Sequence, residues 1–69
     1  MSGAEYRVIK EVRGEEVEEW GPFKDKLSAR RVAEAEAGGV KLDWKSKLGG
    51  KLRGRLPDGG DVNYIVERV

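Results

Sequence analysis

Five basic residues at alternate positions are the part of this sequence whose type and spacing suit a binding site: Lys45, Lys47, Lys51, Arg53 and Arg55. Side chains alternate across a β-strand, so these odd-numbered residues share one face of an extended chain. Lysine and arginine on such a face can neutralise nucleic-acid phosphates. We therefore predict a nucleic-acid or anion contact at these five residues, which we call the basic patch. The competing interpretation is a solvated sheet face whose lysines prevent strand addition.

The charge balance of the chain argues against a general polyanion binder. The formal net charge is only +1, but residues 1–39 carry −2 and residues 40–69 carry +3. Between Lys41 and Arg55 there are six basic residues and one acidic residue. The uneven distribution therefore matters more than the total.

Catalytic and metal-binding residue types are scarce. The chain has no cysteine and no histidine, so the usual nucleophile-base pairs and transition-metal ligands are missing. The acidic run at residues 15–19 would send its carboxylates to opposite faces of a strand, which does not suit a Ca²⁺ site. Residues 48–51 lack the Lys-Ser/Thr pair and the following helix of a phosphate-binding loop. We expect no enzyme, no cofactor and no metal.

The aromatic residues offer surfaces on which bases could stack, but in so lean a sequence they are predicted to form the core. They are Tyr6, Trp20, Phe23, Trp44 and Tyr64. Trp20 stands beside a Gly-Pro pair, and an exposed Trp20 would indicate a protein interface. We therefore name Trp20 as the candidate protein-interface residue.

The first third of the chain predicts a β-hairpin. Residues 5–13 place Tyr6, Val8 and Val12 on one face, and Gly14 marks a turn. Residues 15–20 form a weaker second strand, whose acidic side chains would lie beside the basic residues of the first. We expect Gly21-Pro22 to end this strand, because proline lacks a donor for the ladder.

A change of period predicts one helix over residues 26–37. Asp25 is a plausible N-cap and Ser28 is a competing one. Ala29 and Ala33 lie on a stripe at helical spacing, which allows close packing on a sheet. Gly38-Gly39 is typical of a helix end.

The large apolar residues of segment 40–56 all lie at even positions, and a strand of 17 residues is too long to run without a reversal. A two-residue turn at Gly49-Gly50 would mix the apolar and cationic faces. A three-residue loop at 49–51 keeps the faces uniform, and it pairs Leu48 with Leu52 and Trp44 with Leu56. Another loop of odd length, at 45–47, would also do so. We favour the loop at 49–51.

Residues 57–61 carry a strong turn signal, and residues 62–69 predict the last strand. Pairing Leu56 with Val62 would set Gly54 opposite Tyr64 and Leu52 opposite Val66. Tyr64 would then cover the gap at Gly54. Asp61 and Glu67 would lie on the cationic face and partly neutralise it.

The first half also resembles a known DNA-binding family. Tyr6-Arg7-Val8, Gly14, Gly21-Pro22-Phe23-Lys24 and a helix with Ala29 and Ala33 look like the small arm-type DNA-binding module of tyrosine integrases. The resemblance implies DNA contacts by a sheet that precedes a helix. This chain departs from that pattern in its acidic run at residues 15–19 and in the three strands predicted after the helix. Membership of that family is not assigned.

The sequence as a whole predicts one α+β domain over residues 1–69, with residues 1–4 disordered. The predicted order is β-β-α-β-β-β, with an antiparallel sheet that packs one face on the helix. Without an apolar span or a signal peptide, we expect a cytoplasmic protein and no membrane partner. The leading hypothesis is a non-enzymatic binding module of the bacterial or phage accessory kind. It would work through protein contacts and self-association, with the last strand as an exposed sheet edge. The alternative is nucleic-acid binding by the strand face from Lys41 to Arg55.

Overall fold

A computed structural model describes residues 5–69, so the predicted disorder of residues 1–4 lies outside the described residues. The elements are β1 (Tyr6–Val12), β2 (Glu15–Phe23), α1 (Lys26–Glu36), β3 (Asp43–Lys47), a short 3-10 turn (Leu48–Gly50), β4 (Lys51–Arg55) and β5 (Val62–Arg68). The five strands form one antiparallel sheet in the order β2-β1-β5-β4-β3. The α+β fold class is confirmed. The prediction that the last strand is an exposed edge is wrong, because β5 lies between β1 and β4.

The first hairpin forms as predicted but runs further. Arg13 and Gly14 both have positive φ, at 54° and 82°, as a two-residue hairpin turn requires. The prediction that Gly21-Pro22 ends β2 is wrong, since the strand continues to Phe23. The register shifts there, because Tyr6 pairs with Phe23 while Val8 pairs with Trp20. An edge strand accommodates proline at such an irregularity without breaking the sheet.

Helix α1 begins and ends close to the predicted positions. Asp25 is the N-cap, and its carboxylate accepts a hydrogen bond from the Ser28 backbone N–H at 2.7 Å. The helix ends at Glu36, one residue earlier than predicted. Ala29 and Ala33 are completely buried, so the small face of the helix lies close against the sheet. Among residues 5–69, no helix covers the other face of the sheet.

The core lies between α1 and the even-numbered side chains of the central strands. Its buried members are Val8, Ala29, Ala33, Leu42, Tyr64 and Val66. The other four aromatic residues pack against this cluster. The structure therefore uses all five aromatic side chains for the core, as the composition predicted.

The hairpin between β3 and β4 corrects the predicted loop. The turn residues are 48–50 rather than 49–51, and Trp44 lies opposite Gly54 rather than Leu56. Both loops contain three residues, so each sheet face stays uniform despite the shift. The reason for the observed register is steric, because a Cβ on Gly54 would lie only 2.8 Å from the Trp44 ring. Leu48 is consequently turned outward and is 95% exposed.

The pairing of β4 with β5 matches the prediction. Leu52 lies opposite Val66, and Gly54 lies opposite Tyr64. The cover over Gly54, however, comes from the Trp44 ring rather than from Tyr64. The Tyr64 ring instead lies 6.4 Å from the Trp20 ring, centroid to centroid.

Candidate interaction surface

The sheet face opposite α1 is the candidate functional surface, and we call it the open face. It consists of the odd-numbered residues of the four strands β1, β3, β4 and β5, together with Glu16 and Glu19 of β2. Ile9 and Ile65 lie opposite each other at its centre and are 3% and 8% exposed. They do not belong to the core cluster on the helix side. The open face thus has a small apolar centre of its own, shielded by charged neighbours.

All five residues of the basic patch lie on one half of the open face. Cross-strand pairing sets Lys45 opposite Arg53 and Lys47 opposite Lys51, while Arg55 lies opposite Asp43. Like charges that face each other across a strand pair repel, and an anion placed between them would relieve that repulsion. The structure therefore brings the predicted basic residues together.

A row of ion pairs crosses four adjacent strands of the open face. Arg7 of β1 is 3.6 Å from Glu19 of β2 and also donates hydrogen bonds to Glu67 of β5, the one from Nε measuring 2.7 Å. Glu67 lies 3.6 Å from Lys51 of β4. The hydrogen bond to Glu67 is the main reason that the pKa of Arg7 is raised. This row links charged side chains of β2, β1, β5 and β4 across the open face.

The neutralisation of the basic patch is only partial. Glu67 contacts Lys51, as the predicted partial neutralisation requires. Asp61 instead lies 3.5 Å from Arg13, at the far end of the sheet. Within residues 5–69, no ion pair of 4.0 Å or less involves Arg53 or Arg55. Most of the basic patch therefore keeps its charge available.

A shallow cavity of about 400 Å³ lies on the open face over Ile9 and Ile65. Its acidic walls are Glu11, Glu16 and Glu67, and its basic walls are Lys47, Lys51 and Arg53. Leu48 stands at the rim with its side chain in solvent. Apolar floors with charged rims are typical of protein interfaces. The cavity can thus accept an apolar side chain of a partner. Its acidic wall favours basic groups of that partner on one side, and its basic wall favours acidic groups on the other.

Charge is separated across the open face and its edges. Strand β2, at one edge of the sheet, carries four glutamates and no basic residue, whereas β3, at the other edge, carries Lys45 and Lys47 against Asp43. The acidic and basic sides are thus the two opposite edges of one sheet. Such an arrangement is complementary to a second copy of itself.

A cluster that sequence reasoning missed holds β3 in position. Glu34 of α1 accepts hydrogen bonds from the Leu42 backbone N–H and from Trp44 Nε1, each at 3.0 Å. The hydrogen bond from Trp44 is the main cause of the lowered pKa of Glu34. The Arg30 guanidinium lies 5.5 Å from the centroid of the Trp44 ring. The sequence did contain signals for this cluster. Arg30 and Glu34 lie one helical turn apart in α1, and Trp44 lies in the strand that follows.

Trp20 is not a freely exposed ring. It is half-buried and packs against the core cluster, beside Tyr64. The exposure that would have indicated a protein interface is absent, and the interface role of Trp20 itself stays a prediction. A largely exposed apolar residue lies instead beside the open face, namely Leu48 in the turn between β3 and β4.

Comparisons with known proteins assign no family to this chain. No protein-family description matches the chain, and no curated protein or solved structure is significantly similar to it. The integrase resemblance thus gains no support from these comparisons. In the part of the chain that the structure describes, no helix is long and apolar enough to cross a membrane. Residues 5–69 also bring together no group of three acidic, histidine or cysteine side chains suited to a metal ion.

Proposed function

We propose that this domain is a non-enzymatic protein-interaction module that associates with further copies of itself, as a small accessory protein of the bacterial or phage kind would. The observation that carries this proposal is the separation of charge across one sheet, with acidic β2 at one edge and basic β3 at the other. Complementary potentials favour encounter and fix orientation between partners. Leu48, exposed to solvent at the rim of the cavity, adds apolar surface that association can bury.

Sedimentation velocity over protein concentrations from about 10 μM to about 1 mM tests this proposal directly. We expect the average mass to rise with concentration. We also expect the rise to shrink as salt is added, because exposed charges are screened. A strict monomer at high micromolar concentration in low salt would contradict the proposal.

Nucleic-acid binding is the second candidate, favoured by the basic patch. Five cations share one half of the open face, and within residues 5–69 one of them, Lys51, forms an ion pair of 4.0 Å or less, with Glu67. Within that range, neither Arg53 nor Arg55 forms an ion pair of 4.0 Å or less, so both guanidinium charges are available to phosphate groups. This candidate needs no contact from the acidic edge.

A mobility-shift assay with duplex DNA and with RNA at about 50 mM salt tests the second candidate. We expect a shift that disappears in the double variant Lys47→Glu/Arg53→Glu. The double variant Lys24→Glu/Arg31→Glu is the matched control, since it reverses two exposed charges away from the open face. Circular dichroism verifies that both variants fold. Absence of binding by the unmodified protein under these conditions would rule this candidate out.

A further inference from the structure

The two edges of the sheet suggest how copies of this domain meet. Strands β2 and β3 each have one hydrogen-bonded neighbour in the sheet of residues 5–69, whereas the three central strands have two. An edge strand presents unpaired backbone N–H and C=O groups that can accept a further strand. Both edges are therefore chemically able to extend the sheet.

The charges on the edges discriminate among the possible pairings. Pairing β2 with β2 of another copy would bring two sets of four glutamates together. Pairing β3 with β3 in antiparallel fashion about Lys45 would set Lys45 against its counterpart and Lys47 opposite Asp43, which leaves one like-charge contact at the centre. Like charges directly opposite each other destabilise a strand pair. The pairing of β2 with β3 is the one that brings the four glutamates of β2 to both lysines of β3, so it is favoured over the two symmetric alternatives.

The direction of the strands is compatible with this pairing. In a sheet of five antiparallel strands the first and the last run in the same direction, so β2 and β3 are parallel to each other. Copies that keep their helices on one side would pair these edges in parallel, and copies that alternate sides would pair them antiparallel. Glu16 and Glu19 project from the open face, and Glu15 and Glu18 from the helix side. Because glutamates lie on both sides of β2, either orientation meets Lys45 and Lys47 with carboxylates.

We infer that copies of this domain associate head to tail, with acidic β2 of one copy added to basic β3 of the next so that the sheet continues between them. This inference rests on the proposed self-association. Such a contact is heterologous, so each added copy leaves one acidic and one basic edge free. The assembly therefore grows beyond a dimer instead of closing at two copies.

Two double variants test the pairing without weakening the fold. Lys45→Glu/Lys47→Glu changes the basic edge, and in the folded domain the new glutamates would face Arg53 and Lys51. Glu15→Lys/Glu16→Lys changes the acidic edge. Neither of these glutamates forms an ion pair within residues 5–69, and Glu16 lies opposite Glu11. At Lys45, Lys47 and Glu16 the change replaces a like-charge cross-strand pair with an opposite-charge pair. At Glu15 the cross-strand partner is the uncharged Val12, so that change is neutral.

We expect each variant alone to sediment as a monomer at concentrations where the unmodified protein forms larger species. An equimolar mixture should form a one-to-one complex, because one variant keeps the original β2 and the other keeps the original β3. The altered outer edges of that complex, an acidic β3 and a more basic β2, also carry opposite charges, so larger alternating species that contain equal numbers of the two variants are compatible with this pairing. Slower amide hydrogen exchange in β2 of one partner and β3 of the other would locate the contact. The Lys24→Glu/Arg31→Glu variant should associate like the unmodified protein.

The outcomes separate this inference from the proposed function. If the unmodified protein associates and both variants associate equally well, the edge pairing is refuted while self-association stands. If both variants are monomeric but their mixture forms no complex, the pairing of β2 with β3 is refuted. If the unmodified protein is a strict monomer, the proposed function falls and the inference falls with it.

Discussion

Replacement of Gly54 by alanine is expected to destabilise the domain through one contact. A Cβ at Gly54 would lie 2.8 Å from Cζ3 of Trp44 and 2.9 Å from both Cε3 and Cη2. Carbon atoms prefer a separation of about 3.5–4.0 Å, so the ring would have to retreat by about 0.7 Å or more. The ring cannot do so freely, because its Nε1 donates to Glu34 at 3.0 Å and Arg30 lies over its face.

The expected magnitude follows from two opposing effects. Overpacking costs about 1–3 kcal/mol, whereas alanine in place of a strand glycine gains about 0.5–1 kcal/mol. We therefore expect Gly54→Ala to lower the free energy of unfolding by about 1 kcal/mol, measured by urea denaturation with m-values compared. In a Trp44→Ala background the clash is gone, and the same change should stabilise the domain by about 0.5 kcal/mol. A Gly54→Ala protein at least as stable as the unmodified one, with Trp44 present, would refute the steric account of the register.

Two further predictions concern the helix-to-strand contact and the irregular part of β2. Hydrogen bonds from Trp44 and the Leu42 backbone lower the pKa of Glu34 in the folded state. The charged carboxylate therefore stabilises the fold at pH values above the ordinary glutamate pKa. This stabilisation is lost as the pH falls through the lower pKa of the folded state. Glu34→Gln should therefore lower the free energy of unfolding at pH 7 by about 1 kcal/mol. In melts below about pH 4, the variant and the unmodified protein should become more similar in stability. A difference in stability that does not change with pH would contradict this prediction. Gly21 has φ +133° and a Cβ at this position would lie 3.1 Å from the Tyr6 carbonyl oxygen, so Gly21→Ala should cost about 1–3 kcal/mol. Gly14→Ala, in open space, should cost less, and equal losses in thermal melts would argue against the close approach.

The parity of the second half was enough to predict its faces but not its register. A shift of two residues in the pairing keeps every side chain on the same face, so period-two reasoning cannot distinguish Leu48–Leu52 pairing from the observed Lys47–Lys51 pairing. The distinction comes from the fit of the Trp44 ring over Gly54, which is a contact between two strands. The pairing of β4 with β5 was predictable because the Pro-Asp-Gly turn fixes its register locally.

The order of strands in the sheet was not predictable from neighbouring hairpins. Hairpin reasoning places each strand beside its neighbour in sequence, which left the last strand at an edge. The central pair is instead β1 with β5, joined by contacts such as Arg7 with Glu67, which are 60 residues apart. The predicted end of β2 at Gly21-Pro22 was wrong for a related reason. Proline ends a central strand but is tolerated in an edge strand such as β2.

The residues of the basic patch were predictable from the sequence, but their charged neighbours were predictable only in part. Alternation alone placed Lys45, Lys47, Lys51, Arg53 and Arg55 together, since they have equal parity. The partners of these residues depend on strands that are distant in sequence, so Asp61 was expected beside them and lies by Arg13 instead. The acidic side of the open face became visible only when β2 was located at the edge opposite β3.

The pairing of β1 with β5 also determines when this domain can fold during its synthesis. Each outer hairpin is local and can form early, but neither contains the middle of the sheet. The seam that joins them requires β5, which leaves the ribosome last among the described elements. Contacts of long sequence separation form slowly and after local ones. Until residue 68 has emerged, the nascent chain therefore exposes the inner edges of two separate hairpins, a state in which another polypeptide could compete for them.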